Sequence, residues 1–346
     1  MVGQCFGGMR VNMKKVKRIG STASKDAVVS KTMQKRTKGG LIKDIRHNKF
    51  SYLIALPSML YIFIFSYCAY PYLVIAFQRY NYQNHTLFDI LTKGQWVGLE
   101  NFRFFFRSMT AFRVTYNTLF LNILFIIFGT IVSVVLALLL NELRSRWFVK
   151  TTQSVMLLPN YISWIVVSYL ILSLFSNEYG IVNKMMKDMG KTPINWYIEP
   201  DVWPPILVIA HTLKGAGMNA VIYLAAIASI DTSMNEAAII DGANRFQLVT
   251  RVTLPLITPT IVIMTLLAIG KIMFGDFGMI YAIVGDNGTL YKTTDIIDTY
   301  VFRALRRVGD PSQAMAISLF QSVIGFLMVF GSNWLTRKIY PDGALY

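Results

Sequence analysis

The chain has 346 residues, of which 54% are hydrophobic and 15% charged, a balance too apolar and too charge-poor for an ordinary soluble domain. Its formal net charge is +16, an excess that could serve nucleic acid, an anionic bilayer surface or membrane topology. Of the 34 Lys and Arg, 13 precede Phe50; they lack the interleaved aromatics of a nucleic-acid stacking platform, so they read as a cytoplasmic flank that faces anionic lipid.

Residues 1–49 form this basic tail, and its 20–40 stretch, rich in Ser, Thr, Lys and Gly, reads as disordered. Six apolar runs follow, each reaching the ~20 residues that cross a ~30 Å hydrocarbon core. They are Tyr52–Phe77, Val114–Leu140, Val155–Phe175, Trp203–Ile230, Leu256–Val284 and Ala314–Leu335. The first is too long for a signal-peptide core and is expected to stay as an anchor. An even number of spans puts both termini on one side, and the basic tail makes that side the cytoplasm. Lys and Arg are about equally dense in the inner and outer loops, so the loops add nothing to this orientation. The segments Arg79–Arg113, Ser176–Val202 and Gly285–Gln313, rich in Asn, Gly, Pro and aromatic residues, are expected to be ordered caps on the outer face. The partition is a tail over 1–49, a first membrane helix with its outer loop over 50–112, a five-span core over 113–337 and a short tail over 338–346.

Charges inside spans cost ~2.5–3.5 kcal/mol at a helix centre on insertion scales, so they mark a polar cavity, a partner or an interface. Lys214 lies midway along the fourth run, on one helical face with His211 and Met218. Lys271 and Asp276 interrupt the fifth run; five residues apart, they stand about 140° from each other around a helix and are not expected to share a face. Asp276 sits among Gly270, Gly275 and Gly278, where a local bend would expose backbone carbonyls to a water-filled path. Lys214, Asn219, Tyr223, Lys271 and Asp276 are therefore candidates to line a translocation pathway. Pairing with a partner subunit, or snorkelling to the interface, is the alternative. Asn117, Asn122, Asn160, Tyr161 and Trp164 are similar positions, and Tyr161 and Trp164 also fit an interfacial aromatic belt.

Between the fourth and fifth runs lies Glu236-Ala237-Ala238-Ile239-Ile240-Asp241-Gly242-Ala243, followed by Leu254-Pro255-Leu256. Ser233 and Glu236 fit an S/T-x-x-E capping box, with Asp231 as a rival cap, so a short helix begins here. Gly242 can take the left-handed conformation that ends it, and a second short helix runs from about Asn244 until Pro255 forbids continuation. Phe246 and Val249, three apart, would give that helix an apolar ridge.

This series, with Pro259 beyond it, resembles the cytoplasmic coupling motif of binding-protein-dependent ABC importer permeases of the carbohydrate-uptake group. Trp96-Val97-Gly98-Leu99-Glu100-Asn101-Phe102 is similar to the segment after the first membrane helix of sugar permeases. Leu158–Trp164, Ile222–Ala226 and Asp295–Val301 resemble the branch that handles complex oligosaccharides and polysaccharide fragments. The likeness runs from about Tyr52 to Lys338. It implies an all-α polytopic membrane protein with six transmembrane helices in the type I ABC importer transmembrane-domain fold, both termini cytoplasmic, in a bacterial inner membrane. It further implies that the 113–337 core carries coupling helices at 231–255. There Glu236 and Ala237, with Ala238 and Asp241, would dock into a cytoplasmic ATPase, Gly242 would turn the chain, and Leu254 and Pro255 would return it to the bilayer. The implied partners are a second permease, an ATPase dimer holding ATP and Mg, an extracellular solute-binding protein, a carbohydrate and membrane lipid, but no nucleic acid.

The sequence has no G-x-x-x-x-G-K-[ST] phosphate loop, so ATP is expected on another polypeptide and no cofactor on this chain. Cys5 and Cys68 offer no disulfide framework or zinc set. His47, His85 and His211 show no H-E-x-x-H spacing, and no G-x-S-x-G occurs. The chain thus reads as a non-catalytic subunit without a metal site. Two rivals can be weighed: an ion-driven secondary carrier predicts inverted repeats and paired broken helices holding ion-binding acids, and an intramembrane enzyme needs a nucleophile–base or metal constellation. One intramembrane acid and no repeat are visible, and the histidine and cysteine inventory cannot supply the enzyme.

Overall fold

A computed structural model of the chain describes residues 48–81, 86–143 and 145–339; the basic tail up to residue 47, His85, Arg144 and the last residues from 340 lie outside the described residues. The chain divides into two compact units, Met1–Tyr70 and Pro71–Tyr346. In the first, α1 (Lys49–Phe65) is apolar around its whole circumference and buries no residue, the pattern of a helix meant for lipid or a partner. A 3-10 helix, Tyr67–Phe77, leads across the unit boundary.

The second unit opens with a two-stranded antiparallel ladder, β1 (Gln78–Arg79) with β2 (Gln95–Trp96). Between its strands lies α2 (Leu87–Lys93), capped by the Thr86 side chain, and α3 (Glu100–Arg107) follows. The Asn101 amide donates to the carbonyls of Ala76 and Gln78 at 2.9 and 3.0 Å and fixes α3 to the ladder. The long helix α4 (Met109–Asn141) has 33 residues, ~50 Å at 1.5 Å per residue, more than enough to cross.

The run expected to cross as one helix over Val155–Phe175 is broken. It divides into α5 (Arg146–Tyr161) and α6 (Trp164–Phe175), bent by 92°. Pro159 removes a backbone donor from the last turn of α5, and Ile162 is extended. Ser163 then starts a fresh helix, its hydroxyl accepting from the Val166 N–H at 3.3 Å. Helix α7 (Ile181–Asp188) lies in the segment that follows α6, and α8 (Trp203–Ala228) begins with two prolines, Pro204 and Pro205, in its first turn, where their missing donors cost nothing.

After α9 (Thr232–Ile240) comes α10, a continuous run over Arg245–Ile269. Pro255 does not stop it, contrary to expectation. The stretch Leu248–Thr253 is a π-helix, and its wider turn relieves the clash that a proline ring makes with the carbonyl four residues back. The fifth apolar run, expected as one span to Val284, instead ends at Ile269; an irregular stretch then leads to α11 (Phe277–Ile283). Helices α12 (Ile297–Arg303) and α13 (Pro311–Ile339) complete the unit. Among the described residues five helical runs can cross a membrane, or six when the bent α5–α6 pair counts as one.

The core lies where α4 and α8 pack along each other, with Leu121, Trp203 and Leu207 buried toward one end and Val134, Ala137, Ala220 and Ile257 toward the other. Ile127, Ile131, Val135 and Leu139, four apart on α4, remain exposed, an apolar stripe suited to hydrocarbon or a second subunit. The segments over 176–202 and 285–313 are ordered. Buried Asn183 bonds the backbone of Ile194 and the Trp196 indole. Asp295 is fully buried between Arg303 at 2.7 Å and Arg113 at 3.4 Å. Tyr291 donates its hydroxyl to Asp286, and burial first, then that bond, pushes its pKa up to about 12.

Helices α5 and α8 touch backbone to backbone at Gly217, where an added Cβ would stand 1.9 Å from the Met156 carbonyl oxygen. A Cβ added at Gly331 would meet nothing within 4 Å. Gly217→Ala is therefore expected to lose ~1–3 kcal/mol through overpacking, read as a lower thermal midpoint of the detergent-purified protein, whereas Gly331→Ala, in open space within α13, is expected to leave that midpoint the same or slightly higher.

Candidate functional site

Two features stand out: a hairpin between the fourth and fifth runs, and a polar cavity among the helices that the hairpin joins. In the hairpin Asp231, not Ser233, caps α9, its carboxylate accepting the Ser233 N–H at 3.0 Å. That bond, reinforced by the Ser233 hydroxyl, holds the Asp231 pKa below its usual value. The cap's contribution is present above the ordinary carboxylate pKa and lost as pH falls through the lowered one. Asp241 closes the helix and Gly242 follows at φ 82°. Its N–H bonds the Ile239 carbonyl, and the Ala243 N–H reaches back to Ala238, both at 3.0 Å. This is a Schellman ending, which needs a residue tolerant of positive φ.

Asn244 then begins α10 with a reciprocal capping box to Gln247, at 2.8 and 2.9 Å. The N-x-x-Q spacing was a readable signal for that box. Glu236, Ala237, Asp241, Gly242 and Pro255 are exposed, while Ala238 and Leu254 are half-buried. Val249 is half-buried too, three residues beyond exposed Phe246. The exposed apolar groups at the turn are Ile240 and Phe246, at 86% and 76%. A cavity of about 500 Å³ separates the arms, lined by Ala237, Ala238, Asp241, Arg251 and Pro255 among others.

The larger cavity, about 770 Å³, lies between α4, α8, α10 and the irregular stretch after α10. Asn219, Tyr223, Lys271 and Asp276 line it, joined by Asn122, Thr130, Ser133 and His211. The His211 ring stacks on Phe125 with centroids 4.3 Å apart.

Lys214 is not on this surface. Its ammonium donates to the Asn160 carbonyl at 2.7 Å and stands 5.2 Å from the Trp164 ring centre. It therefore holds the broken span: the last carbonyls of α5 lack helical partners and form the negative end of its dipole, where a cation is favoured. Asn160 and Trp164 belong to this staple and do not line the larger cavity.

Lys271 and Asp276 reach one cavity because the helix between them is unwound, which cancels the angular separation expected of a regular helix. The unwound backbone is bonded by side chains from three helices. Asn122 donates to the carbonyls of Ile272 and Phe274 at 2.9 and 3.1 Å, and Gln321 to that of Met273 at 3.0 Å. Asp298 accepts the Gly275 N–H at 2.7 Å and the Gln321 amide at 3.3 Å. Asp276 caps α11, accepting the Met279 N–H at 2.9 Å. Irregular backbone persists at membrane depth only where protein satisfies it or water reaches it, and here protein does. Asn122, Gln321 and Asp298 escaped notice as a group because they lie far apart in sequence.

Residues 129–341 match the profile of the binding-protein-dependent transport system inner membrane component family. The chain belongs to this family. The matched segment takes in the hairpin, both broken regions and the cavity lining from Gly129 onward, while Asn122, Phe125 and Ile126 precede it. Protein LplB of Bacillus subtilis (strain 168) is 32% identical over 299 residues, 86% of this chain and 92% of that protein. The polygalacturonan/rhamnogalacturonan transport system permease protein YteP of the same strain is 33% identical over 318 residues, 92% of this chain and 96% of the relative. Among solved structures, a bacterial ABC transporter involved in the import of the acidic polysaccharide alginate matches with a TM-score of 0.76 and 32% identity, over 87% of this chain and 100% of that one. The permease is thus a multi-pass inner membrane component with the type I ABC importer fold, and its part in transport is non-catalytic. Broken helices, a feature expected of the rival secondary carrier, do occur in it: the first break is held by Lys214 and the second by Asn122, Gln321 and the Asp298 carboxylate, with Asp276 capping the helix beyond.

Asn122→Leu is expected to leave the carbonyl of buried Ile272 unbonded at ~1–3 kcal/mol, while the lost bond to exposed Phe274 adds less. The permease would show a lower thermal midpoint in detergent, and a midpoint equal to that of the native protein would contradict the bracing role.

Proposed function

We propose that this permease is one of two membrane subunits of an ATP-driven importer, passing oligosaccharide from an extracellular solute-binding protein through the cavity between α4, α8 and α10. The observation that carries this reading is the continuity of α10. One unbroken run carries the exposed Gly242 hairpin at its start and lines the cavity with Met264, Leu267 and Ala268 near its end.

In this reading Glu236, Ala237, Ala238, Asp241 and Gly242 face a cytoplasmic ATPase dimer that binds ATP and Mg²⁺, while Leu254 and Pro255 carry the motion into the bilayer. Exposed Ile240 and Phe246 supply apolar contact. Both termini lie in the cytoplasm and the ordered segments around Asn183 and Asp295 face outward. The exposed stripe on α4 meets lipid or the second permease. Closure of the ATPase dimer moves the hairpin, and α10 tilts with it as a rigid body. The cavity suits a polyhydroxylated solute: Asn122, Asn219, Thr130 and Ser133 can exchange hydrogen bonds with hydroxyls, and Tyr223 offers a ring. Lys271 has no ion-pair partner among the described residues, and relatives named for polygalacturonan/rhamnogalacturonan and alginate make uronate-bearing fragments the first substrates to test.

Gly242→Trp tests the reading, because it combines a bulky group on the docking face with strain at a φ of 82°. Uptake of labelled oligosaccharide by proteoliposomes holding the whole complex is expected to fall at least about tenfold, the scale of a 1.4 kcal/mol loss. Unchanged uptake with intact assembly would contradict the docking assignment.

A further inference from the structure

The hairpin is tied to the rest of the fold by an ion pair that spans 103 positions in sequence: the Arg245 guanidinium donates to the Glu142 carboxylate at 2.5 Å. Each partner is badly placed for its own helix. Glu142 is the C-cap of α4, where the helix dipole presents its negative end and disfavours an acid. Arg245 is the first residue of α10, where the positive end disfavours a base. Neither charge helps the helix that carries it, and each is favourable only through the other. Glu142 is 32% exposed and Arg245 67%, and pairs so open to water contribute little to stability.

The two helices joined here both line one cavity. Asn122, Thr130 and Ser133 come from α4, and Leu267 and Ala268 from α10. Midway between pair and cavity the helices share an apolar cluster of Val134, Ala137 and Ile257.

We propose that the Glu142–Arg245 pair is a positioning strut that makes α4 follow the hairpin, so that displacement of the hairpin moves both cavity walls. Without it, α10 moves while α4 lags, and hydrolysis proceeds with less transport. The inference rests on the reading of 231–255 as the ATPase-coupling hairpin.

The test is the ratio of oligosaccharide imported to ATP hydrolysed, in proteoliposomes containing the whole complex. Glu142→Gln and Arg245→Gln are each expected to lower that ratio about fivefold, a modest coupling energy by the standards of linked sites, with the thermal midpoint of the complex unchanged. The reversed pair, Glu142→Arg with Arg245→Glu, is expected to recover at least half of the native ratio. A native ratio in both single variants, or a reversed pair no better than either single variant, overturns the strut. Gly242→Trp in the same assay separates the two claims: if it leaves the ratio native, the coupling reading itself fails, whereas a loss there alongside native single variants removes only the strut.

Discussion

A peptide group in the middle of a bilayer has no water to bond, and an unsatisfied one costs several kcal/mol. That constraint decides where this fold can interrupt its helices. At the first interruption the Asn160 carbonyl near the end of α5 is met by Lys214, whose cost at membrane depth is offset by that hydrogen bond and the dipole it caps. At the second, three successive carbonyls and the next N–H are taken up by Asn122, Gln321 and Asp298. These breaks are therefore fixed structure with dedicated partners. The second turns Lys271 and Asp276 into one polar cavity, which a continuous helix could not do.

The moving part of the proposed mechanism lies elsewhere. Helix α10 passes through Pro255 without interruption because the preceding turn is wide, so the hairpin and one cavity wall form a single lever. The hairpin has sharply defined ends: a carboxylate cap at Asp231, a left-handed glycine at 242 and a reciprocal box at Asn244. Such termination keeps the arms short and their angle set, which suits a piece that must transmit displacement rather than absorb it.

The existence of the spans, the hairpin and its turn at Gly242 were legible from residue patterns, since hydropathy and capping are local. Four features were not. Ser163 looks like an ordinary polar residue in an apolar run until its cap to Val166 is seen. Pro255 carries a strong local signal for a helix end, and only the hydrogen-bond register upstream reverses it. The position of Lys214 within a span is visible in the sequence, but its direction, toward Asn160 and away from the larger cavity, depends on where α5 ends. Asn122, Asp298 and Gln321 converge on the second break from three helices, and nothing in their spacing announces a shared task. The common cause is that side-chain partners across a membrane fold are set by packing, which single-chain periodicity does not encode.

The account stands most directly on whether ATP hydrolysis powers carbohydrate passage through this permease. The decisive measurement is uptake of a labelled uronate oligosaccharide into proteoliposomes that hold the complete complex with its binding protein, with ATP inside and with or without vanadate. The account predicts uptake only with ATP and solute-loaded binding protein, abolished by vanadate together with hydrolysis. Uptake that persists under vanadate, or that follows an imposed ion gradient without ATP, would contradict it.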